Sequence, residues 1–241
     1  MSSGSAETPA TASGALDRFE SEGFLRLRSV LSAAEVEAAL PALEQCLPKG
    51  AAGSRVAAEK AAPVRAWLRH EAIRGGLRHA GLHEPFPVRV ILFDKTPEAN
   101  WGVPWHQDLA VAVRRRVEVP GFLGWSTKEG RLHVHPPSAV LEAMATLRIA
   151  LDACGSDDGP LRVLPGSHRS GRLPGTEIEA WKRRVAPVDC TAGIGDAVLM
   201  RPLLLHASRP AAVPRRRRVL HVEWADRPLP GGLEWASLGI E

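Results

Sequence analysis

The segment Pro104-Trp105-His106-Gln107-Asp108 sets an imidazole and a carboxylate two residues apart, ahead of the apolar run Leu109–Val113. On an extended chain residues i and i+2 share a face, so His106 and Asp108 point one way and Gln107 the other. A carboxylate and an imidazole converging from one side suit a metal ion that lacks a third ligand. His206, at the end of the apolar run Leu203-Leu204-Leu205, is a histidine placed to complete the set. Two imidazoles and one carboxylate on one face of an octahedral ion leave positions open for a cosubstrate and for oxygen, the pattern of non-heme Fe(II) centres. Zinc hydrolases use the same ligand types, and a polar strand start with a surface His–Asp pair needs no metal.

A second constellation lies in Arg215–Trp224. With period two, one face carries Arg215, Arg217, Val219, His221 and Glu223, and stays polar along its length, as a strand lining a ligand cavity would. The other carries Arg216, Arg218, Leu220, Val222 and Trp224, and ends as a packing face. An arginine inside the cavity needs a carboxylate partner, because an unpaired interior charge is very costly. A dicarboxylate ligand supplies one through a bidentate pair. Arg215 and Arg218 are expected in solvent. Of the other histidines, His133 and His135 read as part of a polar loop, His168 as a turn residue bonding backbone, and His221 as a residue of the interior. No Gly-rich phosphate loop, serine nucleophile elbow or CxxC pair is present.

These groups must be held by a frame. The chain has 241 residues, 44% of them hydrophobic, which suits one large domain. Residues 1–14 read as a disordered tail and 15–241 as a single domain, with a helical support layer mainly in 15–86 and a barrel core mainly in 87–225. Ser32-Ala33-Ala34-Glu35 has capping-box spacing, so a helix begins there, and Pro41 should kink or split it. Lys49–Ala62 reads as a loop and Val64–Ala80 as helix weakened at Gly75-Gly76. From Pro87 the grammar is that of strands: near Val88–Phe93, Leu109–Val113, Leu147–Asp152, Leu161–Leu164, Val185–Cys190, Ala197–Met200, Leu203–His206 and Arg217–Trp224, with short helices near Ser138–Met144 and Thr176–Arg184. Residues Arg114–Pro137 read as a long loop, a candidate lid. Many short strands with helices gathered on the N-terminal side imply a mainly β fold with supporting helices, a jelly-roll barrel.

Several classes lose support. The net charge of +4 is mild, and the runs Arg114–Arg116 and Arg215–Arg218 are not interleaved with aromatics, so no nucleic-acid partner is expected. No apolar run is long enough to span a bilayer, so no membrane partner is expected. Cys46, Cys154 and Cys190 make no disulfide framework, and a reducing cytoplasm is the expected setting.

In order and spacing, "PWHQD", "DDGPLRVLPGSHRSG", "GDAVLMRPLLLHAS" and "RRRRVLHVEWA" resemble the phytanoyl-CoA dioxygenase family of Fe(II)/2-oxoglutarate oxygenases, from about Phe19 to Trp224. The resemblance implies a double-stranded β-helix, the jelly-roll barrel also found in cupins. It implies that His106, Asp108 and His206 ligate iron and that Arg217 and Ser208 bind the distal carboxylate of 2-oxoglutarate. Lys95 is implied as a further contact, and Arg216 replaces Arg217 if the register slips by one. The cofactors implied are Fe(II), 2-oxoglutarate and O2, and the reaction is oxidation of a C–H bond of a small molecule with release of succinate and CO2. Halogenating relatives replace the ligand aspartate by a small residue. Asp108 is retained, which implies hydroxylation or a related oxidation. Trp105 and Trp125 are candidate substrate contacts. The alternative is a cupin-like metal or small-ligand binding protein that is not an oxygenase.

Overall fold

The two faces of the segment around Arg217–Trp224 organise the chain. The computed structural model describes residues 12–47, 53–54, 57–236 and 238. Its strands are β1 (Phe24–Leu27), β2 (Gly53–Ser54), β3 (Phe86–Lys95), β4 (Val103–His106), β5 (Val111–Val113), β6 (Leu123–Lys128), β7 (Arg131–His135), β8 (Ala145–Ala150), β9 (Leu161–Val163), β10 (Val188–Cys190), β11 (Ala197–Met200), β12 (His206–Ser208) and β13 (Arg217–Ala225). Its α-helices are α1 (Ala12–Glu22), α2 (Ala33–Glu44), α3 (Ala62–Trp67), α4 (Glu71–Arg78), α5 (Ser138–Glu142) and α6 (Gly175–Arg184).

Among the described residues, one sheet has the order β1-β11-β8-β13-β3-β2, a second β10-β9-β12-β4, and a small third β5-β7-β6. The first two face each other as a jelly roll, with Phe24, Val198 and Met200 of the first packed against Leu161, Val163 and Cys190 of the second. β13 runs between β3 and β8, antiparallel to both, with Arg217 opposite Lys95 and His221 opposite Arg148. Its outer face, Leu220, Val222 and Trp224, joins Val90, Leu92, Leu147, Ile149 and Leu199 against Phe19, Leu43, Trp67, Ile73 and Leu77 of α1–α4. Burial of each large apolar side chain is worth roughly 1.5–3 kcal/mol. That packing anchors the strand, which leaves its inner face free to carry charge.

The Ser32–Glu35 capping box forms: Glu35 N–H donates to Ser32 Oγ at 3.2 Å, and Ser32 N–H to Glu35 Oε2 at 2.8 Å. Other expectations change. α2 runs through Pro41 to Glu44, held by buried Val36, Ala39 and Leu43. The predicted helix over Val64–Ala80 is two helices, broken at His70 rather than at the glycine pair. There His70 is extended and its ring caps α4 by accepting from Ala72 N–H. Gly76 serves packing instead, since a Cβ at that position would lie 2.6 Å from Leu27 Cδ1. α1 starts at Ala12, inside the stretch read as tail; the rest of the tail lies outside the described residues, as does much of the predicted 49–62 loop, within which β2 and a 3-10 turn at Ala58–Lys60 appear.

The expected loop Arg114–Pro137 contains the hairpin β6–β7, paired to β5 through β7. His133 and His135 therefore sit on a strand, and His133 is buried. The hairpin docks through Phe122 and Val134 on Val88, Leu229 and Leu233.

Candidate active site

β12 pairs with β4 so that His206 stands opposite His106, with ring centroids 4.1 Å apart. Asp108 lies just past the end of β4, where its N–H donates to Pro202 O at 2.9 Å. The carboxylate thus reaches the centre from a turn tied to the segment before β12. Asp108 Oδ1 is 3.8 Å from His106 Nε2, and Oδ2 is 3.6 Å from His206 Nε2.

The tautomers follow from the backbone. His106 Nδ1 lies 2.9 Å from Pro104 O, and His206 Nδ1 lies 2.9 Å from Leu204 O. A carbonyl only accepts, so each Nδ1 carries the hydrogen and each Nε2 turns a lone pair to the carboxylate. Burial pushes the His206 imidazole down to about 3, which keeps it neutral. The Asp108 carboxyl is held below its usual range although its burial opposes ionisation. Asp108 Oδ2 is buried with no hydrogen-bond partner. One donor atom from each residue lies within 4.8 Å of the others. Three converging lone-pair donors repel one another unless a cation sits between them, so this set fits a divalent metal.

Gln107 turns away, as the alternation requires, and is buried. Its Nε2 donates to Leu203 O (2.7 Å) and Gly171 O (2.8 Å), and its Oε1 accepts from Leu173 N–H (2.9 Å). It clamps the ligand segment to the chain just before β12. This role was not read from the sequence, because its partners are 64 to 96 positions away.

His106, Asp108 and His206 open on a cavity of about 220 Å³. Its other end holds Lys95, Ser208 and Arg217, the residues expected to bind a diacid. Lys95 Nζ donates to Ser208 Oγ (3.2 Å) and Arg209 O (3.3 Å). Among the described residues, Arg217 reaches only the Cys154 sulfur, at 3.8 Å, and its Nε is buried without a partner. Arg148, missed in the sequence, also lines the cavity and donates to His221 Nδ1 at 2.8 Å. Among the described residues, no carboxylate lies within ion-pair distance of Lys95, Arg148 or Arg217. Burial, with Arg217 and Arg148 nearby, pushes Lys95 down to about 8, and burial pushes Arg148 down to about 10. Both are cationic at neutral pH. Next to His221, Glu223 Oε1 is 3.2 Å from Arg89 and 3.5 Å from His221 Nε2.

Some expected residues lie elsewhere. Trp105 packs against Leu164, Leu173 and Leu205, on the face of β4 opposite His106, and Trp125 lies under Arg116 on β6. Neither lines the cavity, whereas Trp101 and Phe93 do. No residue of 114–137 is among those lining it. Arg216 points outward to Asp94 (2.9 Å) and Glu44 (2.6 Å), which removes it as the alternative anchor. Arg218, expected in solvent, is buried in a bidentate pair with Asp152 (2.7 and 2.9 Å). Arg215 is exposed, beside Asp158. Both arginine runs are thus largely engaged by carboxylates, Glu234 and Glu118 serving Arg114–Arg116.

A jelly roll with two imidazoles, one carboxylate and a cationic pocket at its mouth defines the class of non-heme metal oxygenases. The model of the phytanoyl-CoA dioxygenase family matches residues 19–219, and the chain belongs to that family. The family uses Fe(II), 2-oxoglutarate and O2, and the oxygenase activity of this chain follows from its membership. No curated protein matches the sequence. Among solved structures, AviO1 from Streptomyces viridochromogenes Tue57 is 24% identical, covering 92% of this chain and 97% of its own, with a TM-score of 0.64. The α-ketoglutarate-dependent carbocyclase SnoK from nogalamycin biosynthesis is 22% identical over 91% and 87%, with a TM-score of 0.67. The epimerase SnoN, in complex with Fe3+, α-ketoglutarate and nogalamycin RO, is 17% identical over 96% and 88%, with a TM-score of 0.69. At these identities the likeness is one of fold.

Proposed function

We propose that residues 15–241 act as one oxygenase domain that hydroxylates, or otherwise oxidises, an unactivated C–H bond of a small molecule, with release of succinate and CO2. His106, Asp108 and His206 would hold the ferrous ion, and Arg217, Ser208 and Lys95 the distal carboxylate of 2-oxoglutarate. The observation that carries this reading is one cavity with three converging metal-competent atoms at one end and, at the other, two cations with no carboxylate partner among the described residues.

When bound, the iron supplies the oxygen activation and electron transfer that no side chain provides. The side chains position and shield. The Pro104 and Leu204 carbonyls fix both imidazoles with Nε2 inward. Arg217 and Lys95 neutralise a carboxylate that would otherwise be stranded in a buried site, and Ser208 adds a hydroxyl. Phe93, Trp101, Val103 and Val219 give the cavity apolar wall, which limits water near the oxidising centre.

The test is anaerobic addition of Fe(II) and 2-oxoglutarate, followed by a search for the weak visible charge-transfer band. The wild type should show it and His206→Ala should not. Its absence from the wild type, or its survival in the variant, overturns the assignment of this site. A cupin-like binding protein would yield no succinate with any substrate.

A further inference from the structure

The cavity holds more positive charge than a distal anchor needs. Lys95 and Arg217 are opposite each other on β3 and β13, at the Ser208 end. Arg148 is anchored further along the sheet. Its backbone partner is His221, four residues further along β13, a distance of roughly 13 Å on an extended strand. A donor atom of His221 falls within 4.8 Å of one on Asp108, so Arg148 enters the cavity at the metal end. A 2-oxo diacid has two carboxylates, one for each end.

We propose that Arg148 binds the carboxylate of 2-oxoglutarate that lies beside the metal, the one next to the keto group. This rests on the reading above, and it assigns a residue that neither the motifs nor the ligand triad includes.

A chain of side chains holds Arg148 for this task. Arg148 Nη1 donates to His221 Nδ1 at 2.8 Å, which leaves the His221 hydrogen on Nε2, facing Glu223 Oε1 at 3.5 Å. Arg89 pairs with Glu223 at 3.2 Å. The Phe93 ring lies 5.4 Å from the guanidinium and packs edge-on to His221. Among the described residues, the bond to His221 is the one hydrogen bond made by the Arg148 guanidinium, and the side chain lines the cavity. A planar guanidinium held by a neutral imidazole keeps its full charge for an incoming carboxylate.

The test is calorimetric binding under anaerobic conditions to protein loaded with redox-silent Mn(II). The probes are 2-oxoglutarate and oxalate, which has the metal-end chelate and no distal carboxylate. Arg148→Gln should weaken both by about tenfold or more, the loss expected for a charged hydrogen bond. Arg217→Gln should weaken 2-oxoglutarate by a similar factor and leave oxalate within about twofold. Arg148→Lys, which keeps the charge and loses the fork, should fall between, and it carries the test if the glutamine variant fails to fold. Equal oxalate affinity in wild type and both Arg148 variants overturns the proposal while leaving the distal anchor standing. Failure of the Mn(II)-loaded wild type to bind 2-oxoglutarate overturns the underlying reading of the site.

Discussion

Lys95 and Arg217 stand directly across from each other on neighbouring strands and face the same cavity, and among the described residues no carboxylate lies within ion-pair distance of either. Two like charges facing one cavity suit a ligand that brings the opposite sign.

The first prediction concerns pH. Lys95 loses its proton at about 8 in the free protein, well below the ordinary lysine value, because of burial and the two nearby guanidiniums. Its charge is present below that value and lost above it. kcat/KM for 2-oxoglutarate should therefore fall as pH rises through about 8. In Lys95→Met the profile should lose that limb, lying below the wild type under about pH 8 and approaching it above. A wild-type profile flat from pH 7 to 9 would show that Lys95 does not meet the cosubstrate.

Arg216 and Arg217 are adjacent in sequence and opposite in role. Arg217→Ala should raise KM for 2-oxoglutarate by about 10- to 100-fold, the worth of a charge-assisted pair. Arg216→Ala should leave that KM within about twofold and lower the melting temperature, since it breaks the contacts to Asp94 and Glu44. Steady-state kinetics with thermal denaturation separates the two.

Gln107 should matter to both stability and metal. Gln107→Ala leaves two carbonyls and one N–H buried without partners, at about 1–3 kcal/mol each. Denaturant unfolding in the presence of EDTA should show a loss of about 3 kcal/mol or more. Mn(II) affinity should fall as well, because His106 and Asp108 flank the clamp. Gln107→Glu should be no better, since a carboxylate cannot donate to Leu203 O and Gly171 O.

Glu59 and Arg131 form a buried bidentate pair at 2.6 and 2.8 Å that ties β7 to the turn before α3. Glu59→Gln should destabilise the fold by about 3–5 kcal/mol, the cost of an uncompensated buried charge. Chemical denaturation measures it. The 2-oxoglutarate affinity of the folded fraction should stay unchanged, because neither residue lines the cavity.

The sequence was most legible where chemistry and period coincide. His106, Asp108 and His206 converge, and the alternation along β13 put Arg217 and His221 inside, as the structure has them. The same rule, applied one residue earlier on β4, would have turned Trp105 away from the cavity. Arg148 was hidden because a single arginine in an apolar strand gives no local sign of facing a ligand. Arg218 looked solvated because its partner, Asp152, is 66 positions distant. The hairpin β6–β7 was taken for loop because Gly, Pro and charged residues dominate 114–137, and its pairing depends on β5 and a core formed with Leu229 and Leu233.

His206 and Ser208 belong to one three-residue strand and face the same cavity. Their Cα atoms stand roughly 7 Å apart, a spacing set by main-chain geometry. On the function proposed above, that spacing would act as a ruler for the cosubstrate, favouring the five-carbon 2-oxo diacid over one a carbon shorter or longer, which competition binding to the Mn(II)-loaded protein measures.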